Sequence, residues 1–198
     1  EVYYVAPSYR MAKSIMWNQL KDVLKKLRWI DQTNEAELKI RLKSGSHIHL
    51  KGAENKDALR GVGLDFLVMD EYQDLDKELW TQVLRPTLSD RKGKALFIGT
   101  PKGVGSFSHE MYTMAKETEG WEAFSFKTID GGQVDEAELE EAKRDLDERT
   151  YAQEYEATFN TYSGMVYYNF DRDEVVRECK NFNTQELYVG IDFNIDPM

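Results

Sequence analysis

The stretch Phe66-Leu67-Val68-Met69-Asp70-Glu71 sets four apolar residues directly before two carboxylates. A short, continuous apolar run reads as a strand buried on both faces, as strands of a parallel sheet are. Such a strand delivers its last residues to the carboxyl edge of the sheet, where doubly wound folds bind their ligands. There Asp70 suits a hydrated Mg2+ that bridges nucleotide phosphates, and Glu71 suits the attacking water, as orienting group or base. This is a Walker B pattern. Apolar runs that end in Asp-Glu also begin helices, so the stretch alone leaves both readings open.

The next such element is Leu96-Phe97-Ile98-Gly99-Thr100-Pro101-Lys102-Gly103, thirty residues from Asp70 to Thr100, with one helix expected in between. Adjacent parallel strands end together, so Thr100 is expected beside Glu71, where a hydroxyl can sense the attacking water or a γ-phosphate. A plain strand exit that uses Gly and Pro as breakers is the alternative. The usual partner of a Walker B strand, a Gly-x-x-x-x-Gly-Lys-Ser/Thr phosphate loop, is absent. The pair Gly93-Lys94 is followed by Ala95 and has Leu88 where the first glycine belongs. That loop normally follows a first strand, so it is expected upstream of Glu1, and poor ATP binding is expected without it.

Outward from this centre, Val2–Ala6 reads as a strand and Ala12–Trp29 as a helix. Residues 37–42 and 47–50 read as a β-hairpin about Lys43-Ser44-Gly45-Ser46. Leu64–Met69 is the central strand, 76–88 a helix, 95–98 a strand, 108–119 a helix and 123–127 a further strand. The alternation predicts an α/β fold with a doubly wound, mainly parallel sheet. Gly131-Gly132 marks a break. The acidic run 135–159 reads as helical, with Val134, Leu139, Ala142 and Leu146 on one face, and serves as a lid or connector. The pattern returns to β after Ser163-Gly164, so the domains are expected at 1–130, 131–162 and 163–198. Glu1 leads straight into a strand, and Tyr188–Phe193 forms another near the other end, so the chain reads as an internal piece of a longer protein.

The 198 residues carry a net charge of −10, which excludes a uniformly basic nucleic-acid coat. Residues 1–60 nevertheless hold 12 Lys/Arg against 7 Asp/Glu, and the remainder 14 against 29. Arg10, Lys13, Lys21, Lys25, Lys26 and Arg28 meet one acid, Asp22, while Met16, Leu20, Leu24 and Leu27 recur at helical spacing. This basic, amphipathic helix is either a solvated face or a phosphate contact. At 41% apolar and 12% aromatic residues the chain can build a core, and no window approaches the roughly 18 apolar residues of a membrane span. The lone Cys179 fits a reducing compartment and excludes zinc ribbons.

These segments resemble the large terminase subunits of tailed bacteriophages over most of the chain. Val5-Ala6-Pro7-Ser8-Tyr9-Arg10 with Ala12-Lys13 and Trp17 looks like that family's second ATPase segment. Leu59-Arg60-Gly61, the strand ending in Asp70-Glu71, residues 85–93 from Arg85-Pro86 to Lys92-Gly93, and Ile98–Gly103 follow in the family's order. Tyr151–Tyr155, Phe159 and Gly164–Tyr167 look like the passage from motor to nuclease. The resemblance implies a P-loop NTPase-like (ASCE) core over 1–130 without its P-loop, a helical linker over 131–162, and the start of an RNase H-like nuclease over 163–198.

The implied function is that of a DNA-packaging motor. Its cofactors would be ATP and Mg2+ in the motor and Mg2+ or Mn2+ in the nuclease. Its partners would be double-stranded DNA, the portal protein, the small terminase subunit and further copies in a ring, in the host cytoplasm and transiently on the procapsid. Asp70 would be the metal carboxylate, Glu71 the catalytic carboxylate and Thr100 part of the coupling segment. Arg60 would be either an arginine finger for a neighbouring subunit or a structural arginine. Asp192, a carboxylate within an apolar strand, matches the first metal-binding acid of the nuclease. One such acid cannot complete a two-metal site, so no cutting by residues 1–198 alone is expected.

His47 and His49 share a strand face without an evident third ligand, and they, His109 and Cys179 are assigned no chemistry. Asp70-Glu71-Tyr72-Gln73-Asp74 also resembles the Walker B box of superfamily 1 helicases, but those continue with Gly-Asp-x-x-Gln where this chain has Gly-Thr-Pro-Lys-Gly. A non-catalytic binding module is the remaining alternative.

Overall fold

In the computed structural model, which describes residues 1–160, six strands form one sheet. They are β1 Val2–Ala6, β2 Ile30–Asn34, β3 Lys39–Leu42, β4 His47–Gly52, β5 Phe66–Asp70 and β6 Lys94–Ile98, in the order β2-β3-β4-β1-β5-β6. β4, β1, β5 and β6 run parallel, and β2-β3-β4 form an antiparallel meander on one flank. The fold is therefore mixed α/β with a mainly parallel sheet, as the alternation of strand and helix predicts. The expectations for residues 163–198, Asp192 among them, lie outside the described residues.

β1 is the middle of the sandwich. Tyr3 and Val5 pack with Leu67 and Met69 of β5 on one face, beneath Leu79, Trp80, Val83 and Leu84. Tyr4 and Ala6 pack on the other face with Ile40, Leu50, Trp17 and Leu24. Helical segments on both faces explain why the central strands read as continuous apolar runs instead of alternating ones.

The helix expected over 12–29 begins at Ser8, whose hydroxyl caps Met11, and runs from Tyr9 to Lys26 with a π-helical turn at Lys13–Trp17. It stops earlier than its apolar spacing suggests. Arg28 takes a left-handed conformation (φ 58°), and the N–H groups of Arg28 and Trp29 donate to the carbonyls of Lys25 and Leu24. That is a Schellman closure with arginine where glycine is usual. Leu27 consequently lies past the helix and is 48% exposed, not on the buried face.

One strand is unexpected, and two further expectations change. β2 has no sequence signature: of Ile30-Asp31-Gln32-Thr33-Asn34 only Ile30 is partly buried, so this edge strand carries no apolar alternation. The run 135–159 is two helices, Glu136–Asp145 and Glu148–Glu154, separated by the cap Asp147. Leu139 and Ala142 are buried as the spacing requires. Residues 123–127 form no strand. Their apolar alternation is real, but a strand exists only by pairing, and among the described residues none pairs here: Phe124 and Phe126 are 67% and 72% exposed.

Candidate functional site

The parallel register sets the site. Asp70 ends β5 opposite Ile98 of β6, and Val68, two residues earlier, lies opposite Tyr4 of β1. Side chains two apart share a strand face, so the Tyr4 ring reaches along β5 and its hydroxyl donates to Asp70 Oδ2. Burial, followed by that bond and the charges of Asp70 and Glu71, raises the Tyr4 pKa, so the phenol stays protonated and a donor. Asp70 Oδ1 accepts from the Glu71 N–H at 3.0 Å. Sequence pattern does not single out Tyr4, because only the register between β1 and β5 brings it to the carboxylate.

Glu71 sits in the left-handed region (φ 49°, ψ 39°) and opens a tight turn, Tyr72–Asp74. Non-glycine residues adopt this conformation at a cost of about 1–3 kcal/mol when surrounding contacts hold them. Here the holding contacts are visible. The Tyr72 hydroxyl donates to the Ser108 carbonyl at 3.2 Å, and its ring meets Phe97 and Phe107 edge-on. Lys102 is ion-paired with Asp74, and the Lys102 N–H donates to Ser108 Oγ. Gln73 Nε2 donates to Glu71 Oε2 at 2.5 Å.

The exit of β6 abuts this turn through Gly99. A Cβ there would lie 1.9 Å from Gln73 Oε1 and 3.1 Å from a Tyr72 ring carbon. Gly99, not Thr100, is thus the residue on which the Glu71–Gln73 pair rests, and the Thr100 hydroxyl makes no hydrogen bond to Glu71. Arg60 follows the short turn Lys56–Leu59 and does not join the cluster: its partners are Asp57 (3.6 Å) and the Gln82 carbonyl (3.4 Å).

Asp70 and Glu71 are the carboxylates that could meet a cation here. Asp70 already accepts two hydrogen bonds, and among the described residues no group of three or more His, Cys, Asp or Glu could cage a metal. That donor set fits Mg2+ carried on a nucleotide, since Mg2+ keeps several waters and uses one or two carboxylates plus phosphates. Away from this edge, Glu1 stands 3.2 Å from His47 Nδ1 and 3.1 Å from His49 Nε2. Burial outweighs the pull of Glu1 and lowers the His49 pKa to about 4, leaving the imidazole neutral at pH 7.

Among the described residues β6 is also an edge of the sheet. Leu96 and Ile98, which face away from the Tyr72 side, are 44% and 46% exposed. Between β6 and residues 121–126 lies an apolar cleft of about 390 Å3, lined by Leu96, Ile98, Trp121, Phe124, Phe126 and Phe159 among others.

A mainly parallel sheet with paired carboxylates and a glycine exit at its carboxyl edge places the chain in the α/β class. Comparison with known proteins narrows the class. Residues 1–173 match the family described as terminase large subunit, T4-like-virus type, N-terminal, and the chain belongs to the large terminase subunits. It is 31% identical over 204 residues to the terminase large subunit of Escherichia phage T5, covering 97% of this chain and 46% of that protein. The chain thus spans about half the length of that relative. Its fold matches the large terminase ATPase domain of Thermus phage P74-26 (TM-score 0.69, 24% identity, 80% of this chain and 76% of that one). It also matches the large terminase of a thermophilic bacteriophage in complex with ADP (TM-score 0.70, 18% identity, 87% and 44%).

Tyr4→Phe removes a hydrogen bond to a charged, part-buried acceptor and is expected to lower stability by roughly 1.5–3 kcal/mol in urea denaturation. A loss below about 0.5 kcal/mol, the size of an ordinary surface change, would mean that the phenol does not hold Asp70.

Proposed function

We propose that this chain is the ATP-hydrolysing region of a viral DNA-packaging motor. The observation that carries the reading is the meeting of Asp70-Glu71 with the Gly99-Thr100 exit at the carboxyl edge of a parallel sheet, in a chain of the terminase family. In this reading β5 is the Walker B strand. Bound Mg2+ would neutralise charge on the β- and γ-phosphate oxygens. Asp70 would hold the ion, and Tyr4 fixes the Asp70 carboxylate. Glu71 accepts a proton from the attacking water while it directs the water's lone pair at the γ-phosphorus, whose bond to the β–γ bridging oxygen breaks with that electron pair leaving on ADP. Thr100 reports phosphate release to the loop behind it. The thermophilic bacteriophage terminase in complex with ADP, and the same protein with ATP-γ-S, support nucleotide as the ligand.

A phosphate-binding loop belongs in this reading beside Glu71. The edge of β6 offers a seat for the strand that would lead into it, because Leu96, Ile98, Phe124 and Phe126 line an apolar cleft beside it. A strand laid there would pair with β6 and give 123–127 the partner that its alternation requires. Arg60, whose partners among the described residues are Asp57 and the Gln82 carbonyl, is a trans-acting arginine for a neighbouring copy. The exposed Lys13, Lys25, Lys26 and Arg28 form the face that meets DNA phosphates. The full protein then works with double-stranded DNA, the portal, the small subunit and a ring of its own copies on the procapsid in the host cytoplasm. Its Asp192 belongs to a nuclease that uses Mg2+ or Mn2+.

In the full-length subunit that carries this sequence, Glu71→Gln is expected to abolish ATP hydrolysis while nucleotide still binds; unchanged turnover would refute the assignment. Arg60→Ala should lower hydrolysis in assemblies, and mixing it with Glu71→Gln subunits should restore part of it, whereas no rescue in any mixture would end the trans role. Asp192→Ala should eliminate DNA cleavage and spare hydrolysis, and a variant that still cuts would remove Asp192 from the nuclease. Hydrogen exchange tests the seat beside β6. The amides of β6 should be protected in the full-length subunit relative to residues 1–198, and equal exchange would leave the seat without an occupant.

A further inference from the structure

Gln73 stands at the join between the two halves of the site. Its Nε2 donates to Glu71 Oε2 at 2.5 Å, an orientation set by the carboxylate, which can only accept when ionised. Its other end, Oε1, is buried and has no hydrogen-bond partner among the described residues. A buried acceptor without a donor is costly, and native structures hold few of them. This one lies against the backbone of Gly99, close enough that any side chain at 99 would displace it.

Three facts make that position consequential. Glu71 is in a left-handed conformation that its own intrinsic preference does not hold, so its side-chain direction depends on what touches it. Gln73 is the side chain whose hydrogen bond holds that carboxylate. Gln73 in turn rests on the residue immediately before Thr100. A displacement of the β6 exit therefore acts on the Gln73 amide, and the amide acts on Glu71. Thr100 itself offers no such path, since its hydroxyl makes no bond to Glu71.

We propose that Gln73 is a positioning residue that ties the Glu71 carboxylate to the Gly99-Thr100 exit of β6, so that the aim of Glu71 follows the state of that loop. The proposal rests on the hydrolytic reading of Glu71. Its physical content is a rigid three-part contact: a carboxylate oxygen, an amide that bridges, and a glycine that leaves room for it. Gly99 is required for space here, since its backbone is not in the left-handed region. The unpaired Oε1 marks the end of the bridge that is free to take a donor when the exit loop moves.

The test is steady-state ATP hydrolysis by the full-length subunit carrying Gln73→Ala, Gln73→Met, Gly99→Ala and the double variant Gln73→Ala/Gly99→Ala, with Glu71→Gln as reference. Gln73→Ala is expected to lower kcat by about tenfold to a hundredfold, the scale of a small misplacement of a catalytic group, with KM and ADP affinity within about twofold. Gln73→Met keeps the length and the packing over Gly99 but cannot donate, and is expected to be equally impaired; full activity in it would overturn the bridge. Gly99→Ala should lower kcat in the wild type and by less than about threefold more in Gln73→Ala, because the amide it would strike is gone. Effects that multiply independently, or a normal kcat in Gln73→Ala, would refute the proposal. The reference separates the two levels: if Glu71→Gln itself turns over ATP, the hydrolytic reading fails. If Glu71→Gln is dead and Gln73→Ala is not, only the bridge fails. ADP binding by each variant shows that it is folded.

Discussion

The structure depends on the parallel pairing of β5 between β1 and β6. Each neighbour contributes one thing to the end of the strand. β1 brings Tyr4 to Asp70 because Tyr4 is registered with Val68, and β6 brings Gly99 to the turn after Glu71 because Ile98 is registered with Asp70. A slip of one residue would turn Tyr4 to the opposite face and bury Tyr3 where the carboxylate waits. That slip is blocked by the core itself, since Tyr3 and Val5 are buried in one cluster and Tyr4 and Ala6 in the other.

Two adjacent carboxylates are held differently by their surroundings. Asp70 is the last residue of the strand and is held by a phenol and by the next peptide N–H, so it is a fixed group. Glu71 has left the sheet through a left-handed turn, and one amide holds its carboxylate. Fixed charge suits the handling of a hydrated cation, and an aimed but movable carboxylate suits proton transfer that must wait for substrate. The difference follows from one residue of chain: the strand ends between the two.

Much of the fold was legible in the sequence because the strongest signals were long or uninterrupted. The apolar run before Asp70, the Ser44-Gly45 hairpin and the periodicity of residues 12–26 each carry their own evidence. The misreadings share a cause. Leu27 fits the helical period, but a backbone closure at Arg28 ends the helix before it, and a period says nothing about where hydrogen bonding stops. β2 is an edge strand with polar residues, and pairing alone makes it a strand. Residues 123–127 have the pattern and lack the partner. In the site, Asp70, Glu71 and Gly99-Thr100 announce themselves by position after apolar runs. Tyr4 and Gln73 do not, since one acts through strand register and the other through a turn whose left-handed start no side chain at position 71 advertises.

The exposed apolar residues of β6 and of 121–126 bear on the same edge. Among the described residues, helices cover the second face of the sheet over β1 and β4, whereas Leu96 and Ile98 of β6 stay exposed. An unpaired strand edge flanked by bare apolar side chains is a poor surface for a protein to keep, because it invites pairing with any extended chain. A strand that satisfied it in parallel would have to run in the direction of β5 and β6, and the residues leaving it would emerge at the carboxyl edge next to Gly99 and Glu71. In the proposed hydrolytic reading, covering the edge and bringing backbone N–H groups beside Glu71 are therefore one geometric requirement, which a single strand followed by a loop can meet.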